Sequence, residues 1–396
     1  PLIRRTPRRG PSGGYPPGTM DMTIWFIPVF VLMLGIEWVS FRIGPDDDEL
    51  GYSAKDAATS ITMGLGSVVV GIVAGLLSAV VVVWCYEHRL VDLPALLGTA
   101  WLWVPLLVLL DDLAYYWFHR CSHTVRLLWA AHVVHHSSRY YNLSTAVRQT
   151  WIPLVGLPFY LPLFLLGFPP LAWVTVHSLN LVYQFFIHTE RVDRLWSPLE
   201  YVFNTPSHHR VHHARNAQYL DRNYAGVLIV WDRWFGTFEP EVEAPVYGLT
   251  KPLDSWNPVW ANLHVWVDLA RDAWMAPRWA DKLRVWVAPQ GWRPADLPAR
   301  APAPAVDPAH VVRYDARAPV RVSLYVSLQF LVTLGFAVSL LVSAPSRTDV
   351  LALAASVVFV LWSLGNGAGL TERRWWAGAS EALRLAAAGA LALHAL

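Results

Sequence analysis

Cysteine and charge are both scarce in this sequence. Of its 396 residues only Cys85 and Cys121 are cysteines. This leaves no basis for a disulfide framework or a thiolate zinc site, and it favours a reducing compartment. Charged residues make up 15% of the chain, against about 25% in soluble domains. Because the net charge is only +2, no binding to nucleic acid or another polyanion is expected.

Long apolar segments take the place of the missing charge, since hydrophobic residues make up 55% of the chain. About 20 apolar residues suffice to cross a bilayer as a helix. Such segments cover residues 23–43, 57–86, 98–118, 322–344 and 350–368, and a further one, 376–396, is interrupted by Glu381 and Arg384. Glu37 in the first segment is costly in lipid, so we expect it to face other helices or lie near an end. The predicted fold class is all-α, a polytopic membrane bundle of helices.

Two shorter apolar segments, 151–168 and 171–187, are separated by the turn sequence GFPP. They predict a helical hairpin whose first arm is made irregular by Pro153, Pro158 and Pro162. A hairpin leaves and returns on the same side of the membrane, so residues after 187 should join residues 119–136. Arginines are frequent in both stretches, and the positive-inside rule makes that side cytoplasmic.

The composition divides the chain into four regions. We interpret residues 1–22 as disordered, 23–238 as a membrane core, 239–320 as a cytoplasmic amphipathic and Pro-rich segment, and 321–396 as C-terminal membrane helices. Within the third region, Trp256, Trp260, Trp266 and Trp274 recur near helical spacing. They predict an amphipathic helix that lies on the membrane surface or covers a site. Residues 302–310, PAPAVDPAH, are predicted to be a linker.

Eleven of the fifteen histidines lie between residues 119 and 213, and eight of them form three clusters. The clusters are His119 and His123; His132, His135 and His136; and His209, His212 and His213. On helices, each pair spaced by four residues projects from one face, while His135 and His212 can reach a second metal from a neighbouring face. Imidazole suits zinc, copper, iron and nickel. With His188 as a ninth candidate, the number exceeds one closed zinc site and suffices for two metals.

Other polar residues near the clusters have less definite roles. Asp111 and Asp112, placed at the end of an apolar run, are expected to be functional or capping. His177 is expected to pack or form hydrogen bonds, and His188 has a structural alternative to ligation. His208 is equally suited to binding metal or to orienting another ligand. The remaining histidines, His88, His264, His310 and His394, are isolated.

Long motifs surround the clusters: DDLAYYWFHRCSH, HVVHHSSRYYNLSTAVRQ, YQFFIHTE and NTPSHHRVHHARN, followed by DRNYAGVLIVWDRWFGTFEPE and YGLTKPLDSWNPVWAN. These motifs resemble the fatty acid hydroxylase/sterol desaturase superfamily of integral-membrane di-iron oxygenases. Within it, the sequence is most similar to the branch of alkylglycerol monooxygenase and its bacterial relatives. The resemblance covers most of residues 23–300.

The resemblance implies a cytoplasm-facing site of two iron ions that uses O2 to attack a lipid C–H bond. In the named branch, the ether-linked carbon of an alkylglycerol lipid is hydroxylated, a fatty aldehyde is released, and tetrahydrobiopterin is the reductant. The positions that match superfamily ligands are His119, His123, His132, His135, His136, His209, His212 and His213, and His188 matches the extra histidine of YQFFIHTE. Further matching polar residues, which would orient imidazoles, contact substrate or act only structurally, are Asp112, Glu190, Asn216, Asp221, Asn223 and Asp232.

Three alternatives bear on function. A sterol desaturase or methyl oxidase, or a fatty acyl hydroxylase, would use the same metal ligands. A membrane metal transporter would differ, because its ligands are expected near the bilayer midplane on discontinuous helices. Here the histidines adjoin Arg-rich segments at helix ends, which disfavours transport. The expected partners are a membrane lipid and a soluble electron donor, and the sequence leaves the oligomeric state open.

Overall fold

A computed structural model of the chain describes residues 21–44, 50–298, 314–343 and 349–395, with side chains up to residue 390. Within these ranges the regular structure is helical, and β pairing is limited to two isolated bridges, Val125 with Pro289 and Ala214 with Tyr247. The all-α class is therefore confirmed for the described residues. The predicted linker 302–310, and all but the last two residues of the segment 1–22, lie outside them.

The helices follow one another along the whole described chain. They are α1 Met22–Ile43, α2 Ala54–Glu87, α3 Leu93–Leu97, α4 Ala100–Thr124, α5 Arg126–His132, α6 Leu143–Ala146, α7 Leu161–Leu165, α8 Pro170–Phe186, α9 Ser197–Val202, α10 Pro206–His213, α11 Val230–Phe235, α12 Pro258–Met275, α13 Trp279–Val287, α14 Val320–Ser343, α15 Val350–Thr371 and α16 Ala377–Ala395. Short 3₁₀ turns cover His135–Ser137 and Pro153–Phe159.

Five of the described helices, α1, α2, α4, α14 and α15, are long and apolar enough to cross a membrane. They confirm the five uninterrupted segments predicted from hydropathy. Polar side chains fix where two of them begin, since Asp21 accepts a hydrogen bond from the amide of Thr23 at α1 and Asp349 caps α15. Helix α4 continues to Thr124, six residues past its predicted end, so it carries His119 and His123 on its last turns.

The first arm of the predicted hairpin is broken into a 3₁₀ turn and the five-residue α7. Pro153, Pro158 and Pro162 each lack an amide proton and crowd the preceding turn, so no helix of membrane length forms here. The second arm is the 17-residue α8, which packs against α1 and α4. Gly167 closes the turn with φ +89°, where a Cβ would lie 2.6 Å from the carbonyl oxygen of Val91.

Buried polar side chains of the membrane helices form hydrogen bonds and ion pairs with the loops next to the histidines. Glu37 on α1 is buried, accepts a hydrogen bond from the amide of Leu143 at 2.8 Å and is bonded to Thr189, which confirms that it faces other elements. Arg148, only 2% exposed, pairs with Asp56 of α2 at 2.7 Å. Because a buried charge is stable only when it is paired, these contacts fix the polypeptide next to the histidines.

Helix α12 confirms the amphipathic helix predicted from the tryptophan spacing. Its buried face includes Leu269, which packs with Ala130 of α5 and Val285 of α13. Its other face exposes apolar side chains, among them Trp274. The helix therefore covers α5, the element that leads into the second histidine cluster.

Candidate metal centre

Helices α4 and α10 each present histidines from one short stretch. On α4, His119 and His123 lie one turn apart, as their spacing predicts. Helix α10 has only eight residues. Pro206 is its first residue, and a capping box between Thr205 and the side chain of His208 stabilises its N-terminus. Since His209 and His213 are also four residues apart, their rings share a face of α10.

The middle cluster departs from its predicted geometry. His132 is the last residue of α5, whereas His135 and His136 lie in the following 3₁₀ turn. His132 and His136 therefore do not lie on one regular α-helix, although their spacing is that of a helical pair. The two Nε2 atoms still lie 3.0 Å apart, because Val133 and Val134 between them keep right-handed helical backbone angles.

The nine candidate histidines assemble into two groups whose possible ligand atoms lie within 4.8 Å of one another. The first histidine group is His119, His123, His132, His136 and His212, and the second histidine group is His135, His188, His209 and His213. All are buried except the half-buried His132. His135 and His212 each join the group opposite to that of their cluster neighbours. This crossing matches the expectation that they reach a second metal.

Backbone carbonyls set the orientation of four imidazoles. Their Nδ1 atoms lie within hydrogen-bonding distance of carbonyl oxygens, at 2.7 Å for His119 with Tyr224, 3.2 Å for His135 with Arg148, 2.6 Å for His188 with Gln184 and 2.9 Å for His212 with Arg222. A carbonyl oxygen only accepts, so Nδ1 must carry the proton. Each of these neutral rings therefore directs an Nε2 lone pair into the group.

Several buried ring nitrogens in the groups have no hydrogen-bond partner. In the second histidine group, Nε2 of His188 lies 3.2 Å from Nε2 of His135, so two lone pairs face each other. Buried nitrogens without a hydrogen-bond partner occur in both groups, including Nε2 of His123, His212 and His213. Buried polar atoms are nearly always satisfied. A cation in each group would satisfy these lone pairs, so the residues fit metal ions.

Burial also keeps the rings neutral. It lowers the pKa of His135 to about 4 and that of His212 to about 3. The same cause lowers the pKa values of His132, His136, His188, His209 and His213 well below the ordinary value. Metal binding requires neutral imidazole. At neutral pH these side chains need not lose a proton before they bind an ion.

Two acidic candidates hold the loop that orients His119. Asp232 accepts hydrogen bonds from the amides of Tyr224 and Ala225, both at 2.8 Å. Asp112 accepts bonds from the amides of Val227 and Leu228 in the same loop. Asp111 and Asp112 lie inside α4 and not at its end, because the helix continues to Thr124. Asp112 and Asp232 therefore hold the loop, whereas Asp111 contacts Trp173, His177 and Asn180 of α8.

The other polar candidates also bind backbone, with one exception. Glu190 accepts hydrogen bonds from the amides of Leu50 and Gly51, Asn216 bonds to residues 244 and 246, and Asn223 donates to the carbonyl of His208. Asp221 is the exception, since its Oδ1 lies 3.8 Å from Nδ1 of His123. That carboxylate is 63% exposed, so it approaches the first histidine group from the solvent side.

The described histidines other than the nine candidates lie outside the two groups. His177 stacks on Trp173, and its Nδ1 lies 3.1 Å from Asp111, so it has the hydrogen-bonding role expected of it. Nε2 of His208 lies 2.9 Å from a carboxylate oxygen of Glu200. His88 and His264 lie elsewhere, His310 is outside the described residues, and the side chain of His394 is not described.

The sequence did not reveal the carbonyl oxygens that orient the imidazoles, nor the two aromatic residues, Tyr141 and Trp129, that pack against candidate histidines. A backbone carbonyl exists at every position, so no residue type reveals it. Tyr141 stacks on His188 at 5.7 Å between ring centroids, and Trp129 lies 5.3 Å from His123 and 5.8 Å from His136. Each aromatic residue lies within a few positions of a cluster, which is the one signal that was present.

Comparisons with known proteins match the part of the chain that carries the candidate histidines. Residues 104–237 match the fatty acid hydroxylase family model, a range that includes all nine histidines. The chain is 35% identical over 366 residues to alkylglycerol monooxygenase of Homo sapiens, covering 91% of this chain and 79% of that protein. It is 40% identical over 358 residues to alkylglycerol monooxygenase of Danio rerio, covering 87% and 76%.

A bacterial lipid enzyme gives a shorter match. The ornithine lipid hydroxylase OlsE of Rhizobium tropici is 29% identical over 147 residues, which is 36% of this chain and 44% of that protein. No solved structure matches the chain. The resemblance based on the histidine motifs is confirmed, and the chain belongs to the alkylglycerol monooxygenase family of membrane-bound monooxygenases.

Proposed function

We propose that this protein hydroxylates the ether-linked carbon of an alkylglycerol lipid and so releases a fatty aldehyde. The observation that carries the proposal is the pair of buried histidine groups at the end of a membrane bundle. Support for the substrate comes from the relatives named alkylglycerol monooxygenase. The nine histidines bind two iron ions, one in each group. Bound iron supplies the redox chemistry that O2-dependent attack on a C–H bond needs, which redox-inactive zinc does not.

The reaction balances with one O2 and two electrons. One oxygen atom enters the C–H bond beside the ether oxygen, and the other leaves as water after taking up two electrons and two protons. The product is a hemiacetal, whose carbon–oxygen bond to glycerol breaks as its hydroxyl proton passes to the glycerol oxygen. Aldehyde and glycerol result. Family resemblance makes tetrahydrobiopterin the reductant.

The chain contributes positioning and the exclusion of water. Carbonyl oxygens of Tyr224 and Arg148 hold the rings of His119 and His135 with Nε2 directed inward. The aromatic rings of Tyr141 and Trp129 contact the groups from outside. A reactive oxidant is used productively only where water and stray protons are kept away, and eight of the nine candidate histidines are buried.

The substrate assay tests the proposal directly. Purified protein is incubated with labelled alkylglycerol, an acyl lipid and a sterol, with and without tetrahydropterin, while iron and zinc are measured. We expect O2-dependent aldehyde release from the ether lipid alone, with iron bound. Modification of only the sterol or the acyl lipid would favour a sterol desaturase or an acyl hydroxylase. Full lipid turnover with zinc and no iron would overturn the iron assignment.

The site is proposed to face the cytoplasm, on the basis of the arginine-rich segments around the clusters. Lys251 is 86% exposed near this end of the bundle. In cells expressing a variant without Cys85 and Cys121, Lys251→Cys should react with a membrane-impermeant maleimide only after the membrane is permeabilised. Labelling of intact cells would reverse the orientation.

A further inference from the structure

A cavity of about 840 Å³ lies next to the first histidine group. Its walls come from α5, α12 and residues 249–253 and 290–297, so no membrane-crossing helix lines it. None of the nine candidate histidines is among its lining residues. Trp129 belongs to both features, because it lines the cavity while its ring packs against His123 and His136.

This separation restricts what the cavity can hold. C–H hydroxylation needs the reacting carbon at the metal centre, and Trp129 stands between the cavity and the rings of His123 and His136. Electron transfer has no such need for contact, since electrons cross a single aromatic ring readily. The volume lies within the range of about 300–1,000 Å³ found for small-molecule sites. The cavity therefore suits an electron donor better than the reacting part of a lipid.

The lining residues favour a flat, hydrogen-bonding ligand. Trp129, Trp260 and Trp292 offer aromatic surface, on which a planar ring stacks well. Arg126 is buried and donates to Asp272 at 2.7 Å. Nε of Arg293, which also lines the cavity, is buried without a hydrogen-bond partner. A buried donor of this kind calls for an acceptor on the ligand.

We propose that this cavity binds the two-electron donor, a reduced planar nitrogen heterocycle of the pterin or flavin class, and that Trp129 conducts its electrons to the first histidine group. The proposal rests on the proposed monooxygenase function. The donor gives up two electrons and two protons and leaves as the oxidised heterocycle. These reduce one atom of O2 to water while the other enters the lipid. Trp129 contacts histidines of the first group, so these residues would hold the ion that lies nearer the donor.

A matched pair of variants on α12 tests the cavity. Val265 lines it, whereas Val267 lies two residues on, is 48% exposed and lies outside the lining. Full-length, iron-loaded protein in detergent is equilibrated anaerobically with tetrahydropterin or with reduced flavin mononucleotide, and the bound ligand is measured. We expect Val265→Phe to weaken binding of the heterocycle that the unaltered protein takes up by about tenfold or more, because the larger side chain fills the cavity. Val267→Phe should bind as wild type does.

A second pair tests Trp129. Anaerobic reduction of the bound iron is followed by absorbance after addition of the heterocycle or of dithionite. Trp129→Leu should slow reduction by the heterocycle about tenfold. Trp129→Phe keeps an aromatic ring and should restore the rate, and dithionite should reduce all variants alike.

Unaltered binding in Val265→Phe would overturn the cavity assignment. If wild type oxidises the ether lipid with dithionite but binds neither heterocycle, the donor site fails and the proposed function stands. If the heterocycle binds and reduces iron yet no lipid is oxidised, the proposed function fails instead.

Discussion

The substitution Asp232→Asn tests the role of the loop that orients His119 without changing any of the candidate metal ligands. The carboxylate of Asp232 is fully buried and accepts three hydrogen bonds, two from the amides of Tyr224 and Ala225 and one from the hydroxyl of Thr237 at 2.7 Å. Asparagine keeps one acceptor oxygen and turns the other into a donor. At least one buried backbone amide is then left unpaired, which costs about 1–3 kcal/mol.

The loss should appear at one metal site. The carbonyl of Tyr224 holds His119 at 2.7 Å, so a looser loop frees that ring to rotate. Groups that orient a metal ligand usually contribute about 10- to 100-fold in affinity. We therefore expect iron of the first histidine group to be lost at chelator concentrations that leave the second group loaded. Iron content after dialysis against graded chelator measures this, alongside a denaturation curve.

Glu372→Gln provides the control for general destabilisation. Glu372 is also buried and accepts hydrogen bonds from Ser255 and the amide of Trp256, but it contacts none of the nine candidate histidines. Its variant should unfold more easily and still retain both ions. Wild-type iron affinity in Asp232→Asn, despite reduced stability, would refute the role assigned to the loop.

Three further predictions concern the histidines. His212→Ala and His135→Ala should each abolish lipid turnover without preventing membrane insertion. His212→Ala should lose iron from the first histidine group and His135→Ala from the second, and metal analysis of each variant measures the iron that remains. Burial lowers the pKa of His135 to about 4 from an unfolded value near 6.5. As the pH is lowered, the unfolded chain therefore binds this proton before the folded chain does. Metal-free protein should lose about 3 kcal/mol of its free energy of unfolding through His135 alone between pH 7 and pH 4. Denaturation midpoints should therefore decrease as the pH is lowered below 7 and stay constant above pH 7. Removing metal at neutral pH should lower the unfolding midpoint, because the lone pair of His188 then faces that of His135 at 3.2 Å; an unchanged midpoint would contradict this.

Hydropathy predicted most of the fold, and the histidine motifs named the nine residues that the structure brings together in two groups. The five membrane segments followed from the length of apolar sequence that a helix needs to cross a bilayer, and the pairs on α4 and α10 followed from the helical period. The end of α4 was placed too early because Arg120 and the histidines lower hydropathy while leaving helix formation intact. Pro153, Pro158 and Pro162 predicted irregularity in the first hairpin arm, as the structure shows.

The sequence could not predict what depends on distant backbone. His119 is bonded to a carbonyl 105 residues away, and such an acceptor has no side-chain signature. The matching motifs pointed to Asp112 and Asp232, but their partners proved to be loop amides and not imidazoles. The 3₁₀ turn at His135–Ser137 was also missed, since it depends on how α5 ends against the segment that carries Arg148.

The exchange of His135 and His212 between the groups makes the two sites interdependent. In α10, His212 belongs to one group while His209 and His213 belong to the other. An ion held by either group therefore restrains a residue covalently next to ligands of its neighbour. The first ion to bind removes part of the ordering entropy that the second would otherwise oppose. Loading of the unaltered protein should therefore be cooperative, and partly metallated chains should become common only where a substitution weakens one of the two groups.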